Sequence, residues 1–178
     1  RSFFSRIFLY FLNFLKKDFN ELFGFGLSTI EYKNIEKHVL EADIIIIFTL
    51  YKIISNKILK KILNTNKIVY FRPLDIELAA GGCHFNKGCQ KFKSSCNKCP
   101  KFIFPNLVSY PTKNLFEKKK IFEKYKPRVF VQNNYVGKIF KSSNIFKNLK
   151  TYPVFIGTND KRNKFYSKKR ARKLLKVN

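Results

Sequence analysis

Apolar positions along this chain fall into two arrangements that alternate. The first is the unbroken run: ADIIIIFTLY (residues 42–51), KIVYF (67–71), PRVFVQ (127–132) and YPVFIG (152–157). Consecutive β-branched and aromatic residues over this length predict strands covered on both faces. The second is apolar spacing at three and four residues, over 32–40, 53–63, 114–125 and 136–146. In 53–63 it is carried by Ile53, Ile54, Ile58, Leu59, Ile62 and Leu63. That spacing predicts helices with one buried stripe. Strand alternating with helix predicts an α/β fold whose sheet is mainly parallel and flanked by helices, joined by right-handed crossovers. Ligands of such sheets lie beyond the carboxyl ends of the strands. The loops that follow the strands are therefore where chemistry is expected.

A further apolar run, FFSRIFLYFLNFL (3–15), stands ahead of this alternation and is interrupted by Ser5, Arg6 and Asn13. A spanning helix needs ~20 apolar residues, so this segment is too short to cross a bilayer. KKDFNELF follows it, where a secretory signal would carry a small-residue cleavage site. It reads as an amphipathic helix packed on a core or lying on a membrane surface. The chain begins at Arg1 and contains no methionine, so a piece of a longer protein is expected.

With 178 residues, 45% of them hydrophobic, the chain can bury a domain-sized core, which excludes disorder over its whole length. Its 37 Lys+Arg against 11 Asp+Glu give a formal charge of +26. Such a balance suits polyanionic partners. The residue alphabet leans throughout toward Lys, Asn, Ile and Phe, with no Trp. That is the skew an AT-rich genome writes into any protein, so part of the charge is compositional.

The stretch GGCHFNKGCQKFKSSCNKCP (81–100) holds all four cysteines, spaced C-x5-C-x6-C-x2-C, and one of the two histidines. Cys96 and Cys99 form a good zinc half-site, since two thiolates at that spacing can chelate one ion from a tight turn. The Cys83 and Cys89 half is less regular. A structural zinc held by Cys83, Cys89, Cys96 and Cys99, free thiols, and disulfides all remain open. A nucleophilic Cys83–His84 dyad is disfavoured because no acid or second histidine stands nearby in sequence to orient it. Gly81 and Gly82 read as a tight turn or as a phosphate-approaching loop. Asp75 reads as an acceptor-orienting group or base, or as a loop cap. His84 reads as a zinc-shell or loop hydrogen-bonding group, and His38 as solvated surface. KKRARKLLK (168–176) reads as an exposed basic helix opening a next domain, or as a nucleic-acid arm.

Together with its flanks, the run FRPLDIELAAGGCHFNKGCQKFKSSCNKCP resembles a segment of bacterial glycosyltransferase family 4 enzymes of the exopolysaccharide (colanic-acid) type. Their pattern has the form T-L-H-D-M-W-x-x-T-G-G-C-H-Y, then a spaced Cys, then C-x2-C-P. The shared residues are Asp75, Gly81, Gly82, Cys83, His84, Phe85, Cys89, Cys96, Cys99 and Pro100. ADIIIIFTLY is similar to the family strand D-I-I-H-L-H-W. PVFIGTNDKRNKFYSKKRARKLLKVN is similar to the V-I-P-N-G-x-D-x-x-x-F and K-K-x-A-R-x-x-L linker. The likeness covers residues 42–178. Departures fall on polar positions: the family's H-D pair reads Leu74-Asp75, its Thr reads Ala80, its aromatic after the Asp reads Glu77, its P-S reads Asn133-Asn134, and its P-N-G reads Gly157-Thr158-Asn159. Arg72 is the nearby cation that could take over from the missing histidine.

The resemblance implies one half of a two-Rossmann-domain enzyme. Residues 1–156 would form a partial N-terminal, acceptor-side Rossmann-like domain with an inserted Cys-rich loop. Residues 157–178 would be the linker and the start of a C-terminal donor-binding domain lying beyond this chain. The implied parent is a retaining hexosyltransferase of surface-polysaccharide assembly that needs no metal for transfer, with this chain alone inactive. It would use a nucleotide-sugar donor and a lipid-linked or saccharide acceptor, and would be cytoplasmic and peripheral to an anionic membrane face. Asp75 and Arg72 are then the catalytic candidates. Gly81, Gly82, His84, Asn133 and Asn134 are the substrate-binding candidates. A rival of another class is a zinc-stabilised nucleic-acid-binding protein that sets Lys87, Lys91, Lys93, Lys98 and Lys101 on phosphates and Phe92 or Phe102 on bases. A third reading is a degenerate paralogue that binds saccharide without transferring it.

Overall fold

The computed structural model describes residues 2–154, 157 and 166–177. Four strands, β1 (Ile44–Ile47), β2 (Ile68–Phe71), β3 (Arg128–Val131) and β4 (Thr151–Pro153), form a sheet in the order β1-β2-β3-β4. Every pairing is parallel; Ile47 stands beside Phe71, and Phe71 beside Val129. Helix α1 (Ser2–Phe14) precedes the sheet, and α2 (Glu36–Glu41) leads into β1. The crossovers carry α3 (Asn56–Leu63), α4 (Tyr110–Tyr125) and α5 (Asn134–Ser142), and α6 (Lys168–Leu175) follows β4. The expected α/β, Rossmann-like arrangement with a parallel sheet is therefore present.

Local chemistry explains the helix starts. Ser55 accepts from the Ile58 N–H at 3.2 Å and caps α3. Asn133 accepts from the Val136 N–H at 2.9 Å and caps α5. Pro111 occupies the first turn of α4, where no N–H is needed. Helices begin and end differently from the spacing-based ranges: 32–40 splits into a 3-10 turn at Tyr32–Asn34 and the short α2. The fourth apolar run narrows to β4, and residues 155 and 156 lie outside the described residues.

The expectation that the strands are covered on both faces is corrected. Ile47, Phe71, Val129, Val131 and Thr151 point to one face and are buried. The helices pack there, with Phe122 of α4 edge-on to Phe71 at 5.1 Å and to Phe146 at 4.9 Å. On the opposite face Ile44, Ile46 and Ile68 are 51%, 54% and 52% exposed. The reason is topological: when strands follow one another in sequence order and every crossover has the same hand, all crossover helices fall on one side.

Between β2 and α4 the chain makes a long excursion whose only regular elements are two 3-10 turns, Glu77–Ala79 and Lys91–Lys93. It is fastened to the segment after α1. Gly24 N–H donates to Gly82 O at 2.7 Å, Lys17 N–H to Lys101 O at 2.9 Å and Ile103 N–H to Leu15 O at 2.9 Å. Phe23, Phe25 and Phe102 cluster beneath these bonds, with centroids 5.0 to 6.1 Å apart.

Candidate functional site

The carboxyl ends of β1 and β2 lead into the segments that carry the candidate residues. Asp75 lies just past β2, and its two carboxylate oxygens do different work. One accepts from the Glu77 N–H at 2.7 Å, closing a turn. The other meets His84 Nδ1 at 2.6 Å. A carboxylate on Nδ1 fixes the ring and favours a proton there, which leaves Nε2 as the free nitrogen. Among the described residues Nε2 is buried and has no hydrogen-bond partner. The ring of Tyr51, from the loop after β1, stands edge-on to the imidazole at 5.0 Å. The sequence expectation that no acid orients His84 is thus corrected: Asp75 does so, brought in by the fold. Cys83 is no nucleophile, because burial pushes its thiol up to about 12.

Arg72 extends the β1–β2 ladder, its N–H donating to Ile47 O at 2.9 Å. Its Nη1 is buried without a partner among the described residues. Such a charge is costly to bury uncompensated and suits an anion. Gln132 ties the end of β3 to this loop, donating to Pro73 O at 3.1 Å and Leu74 O at 2.7 Å. Leu74 is exposed.

Gly81 and Gly82 are buried and serve close packing. A Cβ on Gly81 would stand 2.5 Å from Pro111 O, and one on Gly82 would stand 2.5 Å from the Phe23 ring. Gly82 also has φ +139°, a conformation that side chains rarely adopt. Asn133 is occupied as the cap of α5, and Asn134 is the exposed first residue of that helix.

Two buried ionisable side chains that the sequence did not disclose sit beside the dyad. Glu77 is 4% exposed and Lys118, from α4, is 1% exposed. The Lys118 ammonium donates to the main-chain oxygen of Glu77. The Glu77 carboxylate accepts from Thr49 Oγ1 and from Leu50 N–H, both at 3.4 Å. Burial raises the Glu77 carboxyl above its ordinary range and lowers the Lys118 ammonium below its own, each opposed by the other's charge. Glu77 was legible only as a departure from an aromatic, and Lys118 sat within a run of lysines.

A cavity of about 360 Å³ opens between residues 25–31 and the N-terminal ends of α3 and α4, lined by Ser28, Glu31, Asn56, Lys57, Tyr110 and Lys113 among others. Asn56 donates to Asn114 Oδ1 at 2.9 Å and to Glu117 Oε2 at 2.8 Å, and its own Oδ1 is buried without a partner among the described residues. Asn114 in turn donates to Gly24 O and Gly81 O, both at 3.0 Å, linking this cavity to the Gly-Gly segment. Neither asparagine carried a sequence signal, since both lie in helix-like stretches with no motif.

All four cysteines line one small cavity of about 10 Å³, together with Lys91, Phe92, Pro100 and Lys101. All four are free thiols, so the disulfide reading is not what this structure holds. Among the described residues no group of three or more His, Cys, Asp or Glu side chains is arranged to hold a metal ion. Phe92 and Phe102 are buried, so neither ring is free to stack on a base, and Lys101 is buried against Glu21 and Phe85 O. No described helix is long and apolar enough to cross a membrane. Comparison with family models, with curated proteins and with solved structures finds no match for this chain.

Proposed function

We propose that this chain is the acceptor-side half of a glycosyltransferase that moves a sugar from a nucleotide-sugar to a lipid-linked or saccharide hydroxyl. The observation that carries the reading is the Asp75–His84 pair at the carboxyl edge of a parallel sheet, with Nε2 free. Asp75 is a positioning residue: it holds the ring so that Nε2 can accept a hydrogen bond from the acceptor hydroxyl. Arg72, with an unpaired guanidinium nitrogen on the same loop, would meet a phosphate or sugar oxygen. The imidazole is buried with the Tyr51 ring edge-on to it, so an acceptor reaches Nε2 only if part of this loop moves. Further support comes from the bare sheet face at Ile44, Ile46 and Ile68 and from the outer edge of β1, which is unpaired among the described residues. More βα units of the same domain would cover both.

The test is transfer of labelled sugar from a panel of nucleotide-sugars to membrane lipid, by the protein expressed from its whole reading frame. His84→Ala is expected to lower kcat by roughly 10²–10⁴-fold while the thermal midpoint holds. Asp75→Asn is expected to lower kcat with KM little changed, because the imidazole tautomer is no longer fixed. Transfer that is undiminished in His84→Ala sinks the dyad's role. Absence of transfer with every donor, together with retained saccharide binding, favours the degenerate paralogue.

A lipid-linked acceptor implies contact with a membrane, and α1 supplies a candidate surface. It buries Leu9 and Leu12 but exposes Ile7, Tyr10, Phe11 and Phe14, continuous with Phe19 and with Ile103, Phe104 and Leu107 where Ile103 bonds Leu15. Arg6 and Lys17 are exposed beside it. Aromatic side chains and cations together favour an anionic interface. Vesicles containing anionic lipid are expected to sediment the protein, and Phe11→Ser with Phe14→Ser to release most of it. Equal binding to neutral vesicles would remove the electrostatic part of this expectation.

A further inference from the structure

The excursion from Gly81 to Pro100 poses a physical problem. Its one regular element is the Lys91–Lys93 turn. It also spends left-handed conformations on side-chain-bearing residues: Lys87 at φ +44°, Cys96 at +54° and Lys98 at +44°. Each such residue is disfavoured, and Lys-rich sequence offers little apolar area to offset the strain. Nonetheless Cys83, Cys96 and Cys99 are buried and converge on one cavity with Cys89. Lys91 bonds Asn97 O and Lys98 O, and Asn144 bonds Phe92 O and Ser94 O, but no disulfide joins the converging thiols themselves.

We propose that Cys83, Cys89, Cys96 and Cys99 bind one zinc ion that fastens the excursion. The thiols surround the cavity without forming a ligand shell, so binding would close them onto it. The left-handed residues lie where two chelating turns need them, ahead of Cys89 at Lys87 and Gly88, and at Cys96 and Lys98 ahead of Cys99. Cys89 N–H donates to Asn86 O at 2.8 Å, closing the first turn. Four thiolates on a divalent ion carry net negative charge, which the side chains of Lys91 and Lys101, lining the same cavity, would partly offset. His84 is committed to Asp75, which leaves an all-sulfur set, the soft ligand field zinc accepts in structural sites. The ion would brace the loop that carries His84 and do no chemistry.

Elemental analysis of protein purified without added metal tests this directly. One zinc per chain is expected, with the four thiols unreactive to an aromatic disulfide reagent until a strong chelator strips the ion. Cys96→Ser with Cys99→Ser is expected to reduce bound zinc to background. If that variant does not fold, chelation of the native chain gives the same information: cleavage by protease within residues 81–100 should appear on stripping and disappear when zinc is returned. Metal-free protein whose thiols react at once in the native state overturns the proposal. So does iron with acid-labile sulfide, which would make the site a cluster.

Discussion

Replacing Lys118 by methionine is expected to lower the free energy of unfolding by about 1–3 kcal/mol, the usual loss when a buried hydrogen-bonded group is left without its partner. Lys118 is 1% exposed and Glu77 4% exposed, so solvent screens neither. Methionine keeps the volume and apolar stem but takes away the ammonium that bonds Glu77 O and offsets the Glu77 carboxylate. Thr49 and Leu50, each at 3.4 Å, are too distant to replace it. A domain of this size has roughly 5–15 kcal/mol in total, so the urea midpoint should fall steeply while a folded baseline survives. The double variant Lys118→Met, Glu77→Gln also removes the buried carboxyl and is expected to recover part of the loss, because each group's charge acts on the other. If Lys118→Met alone costs less than about 0.5 kcal/mol, within the range of ordinary surface changes, the buried bond from Lys118 to the Glu77 carbonyl does not stabilise the fold and the account given for it fails.

The pair also shows where the sequence was readable. Strand and helix could be told apart because ADIIIIFTLY and the spaced isoleucines of 53–63 obey different periods, and β1, β2, β3 and α3 fall inside those ranges. Coverage of the sheet could not be read, because Ile44 and Ile46 are as apolar as Ile45 and Ile47 yet face outward. An apolar run records what a residue tolerates, and strand order decides which face is covered. For the site, Asp75 and His84 could each be singled out, but their contact spans nine positions of irregular loop that no periodicity describes. Glu77 and Lys118 were hidden for the opposite reason: in a chain with 37 basic residues, one more lysine in a helix carries no signal until burial distinguishes it.

Gly82→Ala is expected to be the most damaging single methyl group in the excursion, while Gly88→Ala, six residues away, is expected to be mild. The two share a left-handed backbone, φ +139° and +82°, so both lose conformational ease. Strain of that kind costs of order 1–3 kcal/mol. They differ in surroundings. Nothing lies within 4 Å of a Cβ on Gly88, whereas one on Gly82 meets the Gly24 carbonyl and, at 2.5 Å, the Phe23 ring. Phe23 is packed against Phe25 and Phe102, so it has little room to yield. Overpacking adds about 1–3 kcal/mol, which brings the expected loss for Gly82→Ala to roughly 2–6 kcal/mol, against about 1–3 for Gly88→Ala. The damage should extend past stability. Gly82 O receives the Gly24 N–H at 2.7 Å and lies two residues from His84, so displacing this strand-like contact moves the imidazole relative to Asp75. Chemical denaturation of the two variants, read beside the His84 ring signals in a proton–nitrogen spectrum, separates the effects. Equal losses in both variants would mean that backbone strain alone sets the cost, and that the Phe23 contact does not hold the dyad loop in place.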